Sequence, residues 1–204
     1  MKPNAGVRRC RTTRTMSDIH TLVLVEGESD AAAVRALAGL FGCDLEPGTI
    51  RIHPAGGVTN FSRSLSNFAR TYPRASVCGL YDIAEERHVR RALANAALPN
   101  AAQAPLESFG FFACVADLED ELIRALGAEA VQHVLEAQGE LVAFRRFQTM
   151  PHHRRTPVDQ QLHRFLGTRA TRKIRSARHL VERLDLDRLP RPLMQLAARL
   201  FGAP

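Results

Sequence analysis

No run of apolar residues in this 204-residue chain comes near the roughly 20 that a membrane-spanning helix needs, and no charged-then-apolar leader opens it. The expected setting is the cytoplasm, with no membrane partner. No Cys-x-x-Cys pair occurs, and Cys10, Cys43, Cys78 and Cys114 lie far apart, so neither a zinc knuckle nor a disulfide framework is indicated. Cys78 and Cys114 fall in apolar strand patterns and read as core thiols. The chain has no G-x-x-x-x-G-K-[ST] loop, hence no sequence basis for an ATP site. It also lacks internal repeats and low-complexity runs. What remains is a globular composition, 45% hydrophobic and 24% charged, long enough to bury a real core.

Acids are missing from one end and scarce at the other. Residues 1–15 carry Lys2, Arg8, Arg9, Arg11 and Arg14 and no acid, and read as a disordered basic tail; Met16 is a second candidate for the natural start. Residues 16–140 reverse the balance to a net charge of about −8, and residues 141–204 return it to about +10. A solvated surface accounts for a mild bias. Segregation this strong favours a polyanionic partner, with nucleic acid the leading candidate.

Element signals alternate through the first two thirds. Strands are predicted over residues 19–25, 49–53, 75–81 and 109–115, and helices over 29–41, with Ser29 as N-cap, 59–71 and 85–96, with another opened by Asp117. Crossovers of this length imply a parallel four-stranded sheet flanked by helices, an α/β fold. Beyond Gly127 only helical patterns remain, over residues 129–137, 141–147, 158–166, 171–184 and 193–201. The domain reading is a basic tail over 1–15, a metal-binding α/β domain over 16–127 and a basic all-helical extension over 128–204.

The stretch LVLVEGESD, residues 22–30, ends a buried-strand pattern in Glu26, Glu28 and Asp30. In an open parallel sheet the carboxyl ends of all strands share one edge, where ligands bind. Glu26 ends the first strand and Asp82 the third, Asp117 and Glu119 follow the fourth, and Asp30 sits one helical turn beyond Glu26. Such a cluster calls for a hard cation with oxygen ligands, Mg2+ or Mn2+, because no histidine or cysteine stands among these acids. Blander roles compete: Asp30 suits a helix dipole, Asp117 an N-cap, and Glu119, Asp120 and Glu121 a charged exposed face. His53, His133, His163 and His179 read as ordinary helix and strand residues outside the site, and His152 with His153 as a surface loop.

The motifs LVLVEGESD, then AGG at 55–57 and GLYD at 79–82, resemble a TOPRIM domain, the metal-binding fold shared by topoisomerases, bacterial primases and some nucleases. The continuation, DLEDEL at 117–122 and RKIR at 172–175, resembles the TOPRIM portion of OLD (overcoming lysogenisation defect) family nucleases, standing alone without their ATPase domain. The resemblance implies a metal-dependent endonuclease-type phosphodiesterase with two divalent ions. Glu26, Asp30 and Asp82 would hold one ion, Asp117 and Glu119 the second, with Glu26 and Lys173 as catalytic residues and Lys173 stabilising charge at the scissile phosphate. Arg169, Arg172, Arg175 and Arg178 are the expected phosphate contacts. DNA is favoured over RNA, and a separately encoded ATPase remains open as a partner. Ala84 departs from the pattern, standing where the second aspartate of Asp-x-Asp belongs, with Glu85 and Glu86 as neighbouring substitutes. The alternative is a non-catalytic nucleic-acid-binding or regulatory module with a degenerate metal site.

Overall fold

The computed structural model describes residues 19–43, 45, 49–96 and 103–202. The basic tail, the Met16 start and Cys10 lie outside them. The element order is β1 (Thr21–Val25), α1 (Glu28–Leu40), β2 (Ile50–Pro54), α2 (Phe61–Thr71), β3 (Ser76–Asp82), α3 (Glu86–Asn95), β4 (Phe111–Cys114), α4 (Leu118–Ala137), α5 (Leu141–Gln148), α6 (Val158–Leu166), α7 (Ala170–Val181) and α8 (Arg191–Phe201). The four strands form one parallel sheet in the order β2-β1-β3-β4. Val23 pairs with Ile52 on one side and Cys78 on the other, and Asp82 pairs with Cys114. The chain leaves β1 for β2 on one side and returns to β3 on the other. The carboxyl ends of β1 and β3 therefore frame a topological switch point, where open α/β sheets bind ligands.

Strand alternation divides the core into two layers. Val23, Val25, Cys78, Leu80, Phe112 and Cys114 face one side and join a cluster built from α1 and α4 to α8. Leu24, Tyr81 and Phe111 face the other, against α2 and α3. Both faces are covered, which is why the strands read as continuous apolar runs. On the second layer, α2 presents Phe61, Leu65 and Phe68 to the sheet at helical spacing. Gly79 lets β1 and β3 approach, because a Cβ there would stand 2.1 Å from the carbonyl oxygen of Leu24. An alanine would force the strands apart, at a cost of about 3 kcal/mol.

The helical region shares its core with the sheet. α7 lies along α1, and α8 packs on β3 and β4. α4 runs across the expected break with a kink at Gly127, whose φ of 77° is easy only for glycine. Several boundaries move. α1 is capped by Gly27, not Ser29, which is buried inside the first turn. Phe109 belongs to a short 3-10 turn before β4, α7 ends at Val181, and α8 starts two residues early at Arg191, with Pro192 in its first turn. Cys78 and Cys114 are buried free thiols in the core. Among the described residues no helix is long and apolar enough to cross a membrane.

Candidate active site

Backbone hydrogen bonds fix the end of β1. The amide of Ala55 donates to the carbonyl of Val25 (2.9 Å), and those of Gly56 and Gly57 donate to the carbonyl of Glu26 (3.0 and 3.1 Å). The AGG turn after β2 is thus the clamp that sets Glu26 at the sheet edge. Gly56 and Gly57 take φ of 70° and 114°, which explains the glycine pair. Asp30 is fixed by the next turn, its Oδ2 accepting from the amide of Gly27 at 2.9 Å. Asp82 ends β3. Asp117 caps α4, its Oδ1 accepting from the amide of Asp120 at 2.8 Å. Its other oxygen, Oδ2, lies 2.6 Å from Nε2 of His163 on α6.

Glu119 follows in the first turn of α4 and is only 2% exposed. An exposed charged face for residues 119–121 is therefore wrong. Glu121 is buried too, accepting from the amide of Val115 and pairing with Arg124. Neither carboxylate oxygen of Glu119 accepts a well-aligned hydrogen bond. Its compensation is the ammonium of Lys173 on α7, 3.2 Å from Oε2.

The acids act on one another. Asp82 is pushed up to about 7, first by burial and then by the charges of Glu26, Asp117, Asp30 and Glu119. Burial also raises Glu26, with Asp30 and Glu85 adding to it, and raises Asp30 and Glu119, while Lys173 works against all three. Burial would raise Asp117 as well, but the His163 bond and the Asp120 amide hold it below the ordinary carboxylate range. The Asp117 bond raises His163 in turn. Burial would lower Lys173, but Glu119, Asp30 and Asp117 together lift it above the usual lysine value.

Beside Ala84, Glu85 lies within electrostatic reach of Glu26 and is hydrogen-bonded to His88 at 2.7 Å. Glu86 is turned to Arg90 instead. All five sequence-designated acids and Lys173 thus stand in one electrostatic neighbourhood, contributed by the β1–α1 junction, β3, α4 and α7. Among the described residues, however, no three acidic, histidine or cysteine side chains are drawn together closely enough to share one ion as they stand. Asp117 is engaged by His163 and Glu119 by Lys173.

A pH-dependent stability follows from Asp82. Its unfolded value is about 3.9, so the folded chain binds that proton more tightly, and stability falls as pH rises from about 4 through about 7. Asp82→Asn removes the charge. Without divalent ions, its melting temperature relative to the parent should therefore increase between pH 5 and pH 8. A difference independent of pH would take Asp82 out of the cluster.

Two sequence expectations need correction. Arg172 is not a phosphate contact: at 5% exposure it pairs with Glu140 at 2.8 Å and lies 3.9 Å over the ring of Phe165. It ties α7 to the α4–α5 junction, a structural role. His163, read as a bland helix residue, is in fact the partner of Asp117. Of the other arginines, Arg169 is exposed at the cap of α7, while Arg175 and Arg178 are exposed but paired with Glu140 and Glu182.

Comparison with protein-family models and with curated proteins returns no match. Solved structures do match. The C-terminal region of the Xanthomonas campestris pv. campestris OLD protein is 22% identical with a TM-score of 0.61, covering 89% of this chain and 94% of that one. A second structure of that region gives 21% and 0.64, covering 89% and 92%. The C-terminal region of the Burkholderia pseudomallei OLD protein is 19% identical with a TM-score of 0.60, covering 88% of this chain and 96% of that one. The fold is therefore a TOPRIM-like parallel sheet with flanking helices. Its helical region is part of that likeness, since the match runs over nearly nine tenths of the chain.

Proposed function

We propose that this protein is a divalent-metal-dependent nuclease that hydrolyses phosphodiester bonds of nucleic acid at the carboxylate cluster. One observation carries the reading: Glu26, Asp30, Asp82, Asp117 and Glu119 share one electrostatic neighbourhood at the carboxyl edge of the sheet, where burial and then the neighbouring acids push Asp82 up to about 7. Mutually repelling acids gathered at such an edge, with Lys173 as the cation within reach of Glu26, Asp30 and Glu119, favour a further compensating cation in the working state. The donor set fits Mg2+ or Mn2+, being all carboxylate oxygen, and buried Glu119, whose one compensating partner among the described residues is Lys173, fits it too. Glu26, Asp30 and Asp82 would hold one ion, and Asp117 with Glu119 a second. Bound there, divalent ions activate water and stabilise the leaving oxygen.

The chain's own residues do the rest. The AGG clamp orients Glu26, and His163 orients Asp117 and offsets its charge while no ion is present. Lys173, already bound to Glu119, supplies a fixed positive charge towards the phosphate. Arg169 would contact phosphate directly, and Arg175 and Arg178 would exchange their pairing with Glu140 and Glu182 for phosphate contacts, with DNA favoured over RNA. Any ATP-driven step would need an ATPase outside these 204 residues, which contain no P-loop.

The spread of the acids favours a second reading, a binding module without catalysis. Purified protein incubated with supercoiled plasmid separates the two. Nicking or linearisation that requires Mg2+ or Mn2+ and stops with a chelator is expected. Binding without cleavage in either metal would leave the second reading standing.

A further inference from the structure

The acidic balance of residues 16–140 conceals a segment of the opposite character. From residue 47 to residue 81 the sequence contains Arg51, Arg63, Arg70 and Arg74 and not one aspartate or glutamate. The segment supplies β2, an edge strand, and α2, whose Ser64 hydroxyl reaches His53 on β2. All four arginines are exposed. Among the described residues none of them is in an ion pair, whereas Arg175 and Arg178 on α7 both are. Arg63 and Arg70 bond only to the side-chain amide oxygens of Asn60 and Asn67.

Between β2 and α2 lies a cleft of about 350 Å³, lined among others by Arg51, Arg63, His53, Asn67 and Tyr72, with Pro54 and Ala55 at one end. Its lining is free of carboxylates. The ring of Tyr72, half-buried, is backed by Phe68 with centroids 5.0 Å apart, so a flat aromatic group stands among cations. Nε2 of His53 is tied to the hydroxyl of Ser64 at 3.1 Å, and burial followed by the charge of Arg51 lowers its pKa. Ala55, in the lining of the cleft, opens the AGG turn whose next two amides, those of Gly56 and Gly57, hold the carbonyl of Glu26.

We propose that this cleft is a second nucleic-acid subsite, holding one nucleotide unit of a strand whose neighbouring phosphate lies at the carboxylate edge, with the base against Tyr72 and its phosphates on Arg51 and Arg63. The volume lies at the small end of the usual ligand range, matching a single nucleotide. Cationic walls with one aromatic platform are the pattern of sequence-tolerant single-strand binding. The placement explains an otherwise odd charge map. The carboxylates at the switch point repel a polyanion until ions are bound, and an acid-free surface beside them holds the strand there meanwhile. The proposal deepens the nuclease reading, but its test does not need cleavage.

Binding is measured by fluorescence anisotropy with a labelled oligothymidylate in a chelating buffer, using the full chain. Tyr72→Ala should weaken binding by about 5-fold to 100-fold. Arg51→Ala and Arg63→Ala should each reduce the slope of log affinity against log salt by about 0.7. Arg145→Ala, on α5 and outside the cleft lining, should leave both the salt slope and Tyr72-dependent binding unchanged. The chain has no tryptophan and only two tyrosines, Tyr72 and Tyr81, and Tyr81 is buried, so quenching of tyrosine emission by the oligonucleotide reports Tyr72 directly. Unchanged affinity in Tyr72→Ala with unchanged salt slopes in both arginine variants would overturn the proposal. Half-displacement of the oligonucleotide by micromolar thymidine monophosphate would overturn the strand assignment and make the cleft a free-nucleotide site. Absence of Mg2+- or Mn2+-dependent cleavage by the parental chain, with these binding effects preserved, would refute the nuclease reading alone.

Discussion

Glu26→Ala and Asp82→Ala should each lower Mg2+-dependent cleavage by at least about 100-fold, towards background, while the protein stays folded. The two residues occupy different strands, so a shared loss of activity cannot come from one local distortion. Neither substitution removes a side-chain hydrogen bond or close ion pair seen among the described residues, and for Glu26 the favourable pull of Lys173 is outweighed by burial and the neighbouring acids. Burial and the neighbouring acids raise Glu26 and Asp82 above ordinary carboxylates, so in the metal-free protein each ionised group is held against repulsion. Removing either should leave the melting temperature in chelator unchanged or higher at pH 8. It should also reduce the extra stability gained on adding Mg2+, since a ligand that binds only the folded state stabilises it in proportion to its affinity. Glu28→Ala supplies the control. Glu28 starts α1 with its side chain exposed, and its loss should leave the rate unchanged. Parental activity in both Glu26→Ala and Asp82→Ala would reject the assigned site.

The sheet and its acidic edge were legible because the signals are local. LVLVE announces a buried strand and the residue that leaves it, GLYD repeats the pattern, and alternation with helices requires a parallel sheet. The order of strands then follows from few topologies, and with it the meeting of Glu26 and Asp82. What escaped the sequence depends on packing between distant segments. His163 reaches Asp117 only because α6 lies against α4, a contact across 46 residues that no spacing rule reveals. Arg172 sits in the same basic run as Arg169, Arg175 and Arg178, yet a helix turns each side chain by about 100°, and only Arg172 faces the Phe165 ring. Glu121 reads as a solvated acid until Arg124 is placed against it, and the competing reading of Glu119 as part of an exposed face fails only once Lys173 is placed beside it. The Ser29 cap failed for another reason. Gly27 leaves the strand in an extended conformation, and the Asp30 carboxylate accepts its amide, so the helix begins before the expected hydroxyl. The basic β2–α2 face was legible all along, but averaging charge over residues 16–140 concealed it.

Lys173 gives the second large effect, and its surroundings separate a catalytic role from a structural one. Its ammonium lies 3.2 Å from Glu119, with Asp30 and Asp117 close enough to raise its pKa, so it is protonated throughout the neutral range and cannot serve as a base. It is a fixed cation whose side chain is 38% exposed, buried enough to be held and open enough to face a substrate. Lys173→Ala leaves Glu119 buried without compensation beside two other acids. Because the lysine is partly solvated, the stability lost should fall below the full cost of breaking a buried pair, at about 2 kcal/mol, and Mg2+ should recover much of it by supplying charge to the same carboxylate. Cleavage is therefore compared in Mg2+, well below the variant's own melting temperature and at saturating substrate. If Lys173 stabilises charge developing on the phosphate, the saturated rate should still fall by about 100-fold, and Lys173→Arg should recover part of it. If it only holds Glu119 and positions phosphate, the deficit should appear at low substrate and vanish at saturation. A Lys173→Ala enzyme that cleaves at the parental rate once folded and saturated would make the residue a structural counter-charge for Glu119, with the catalytic work confined to the carboxylates.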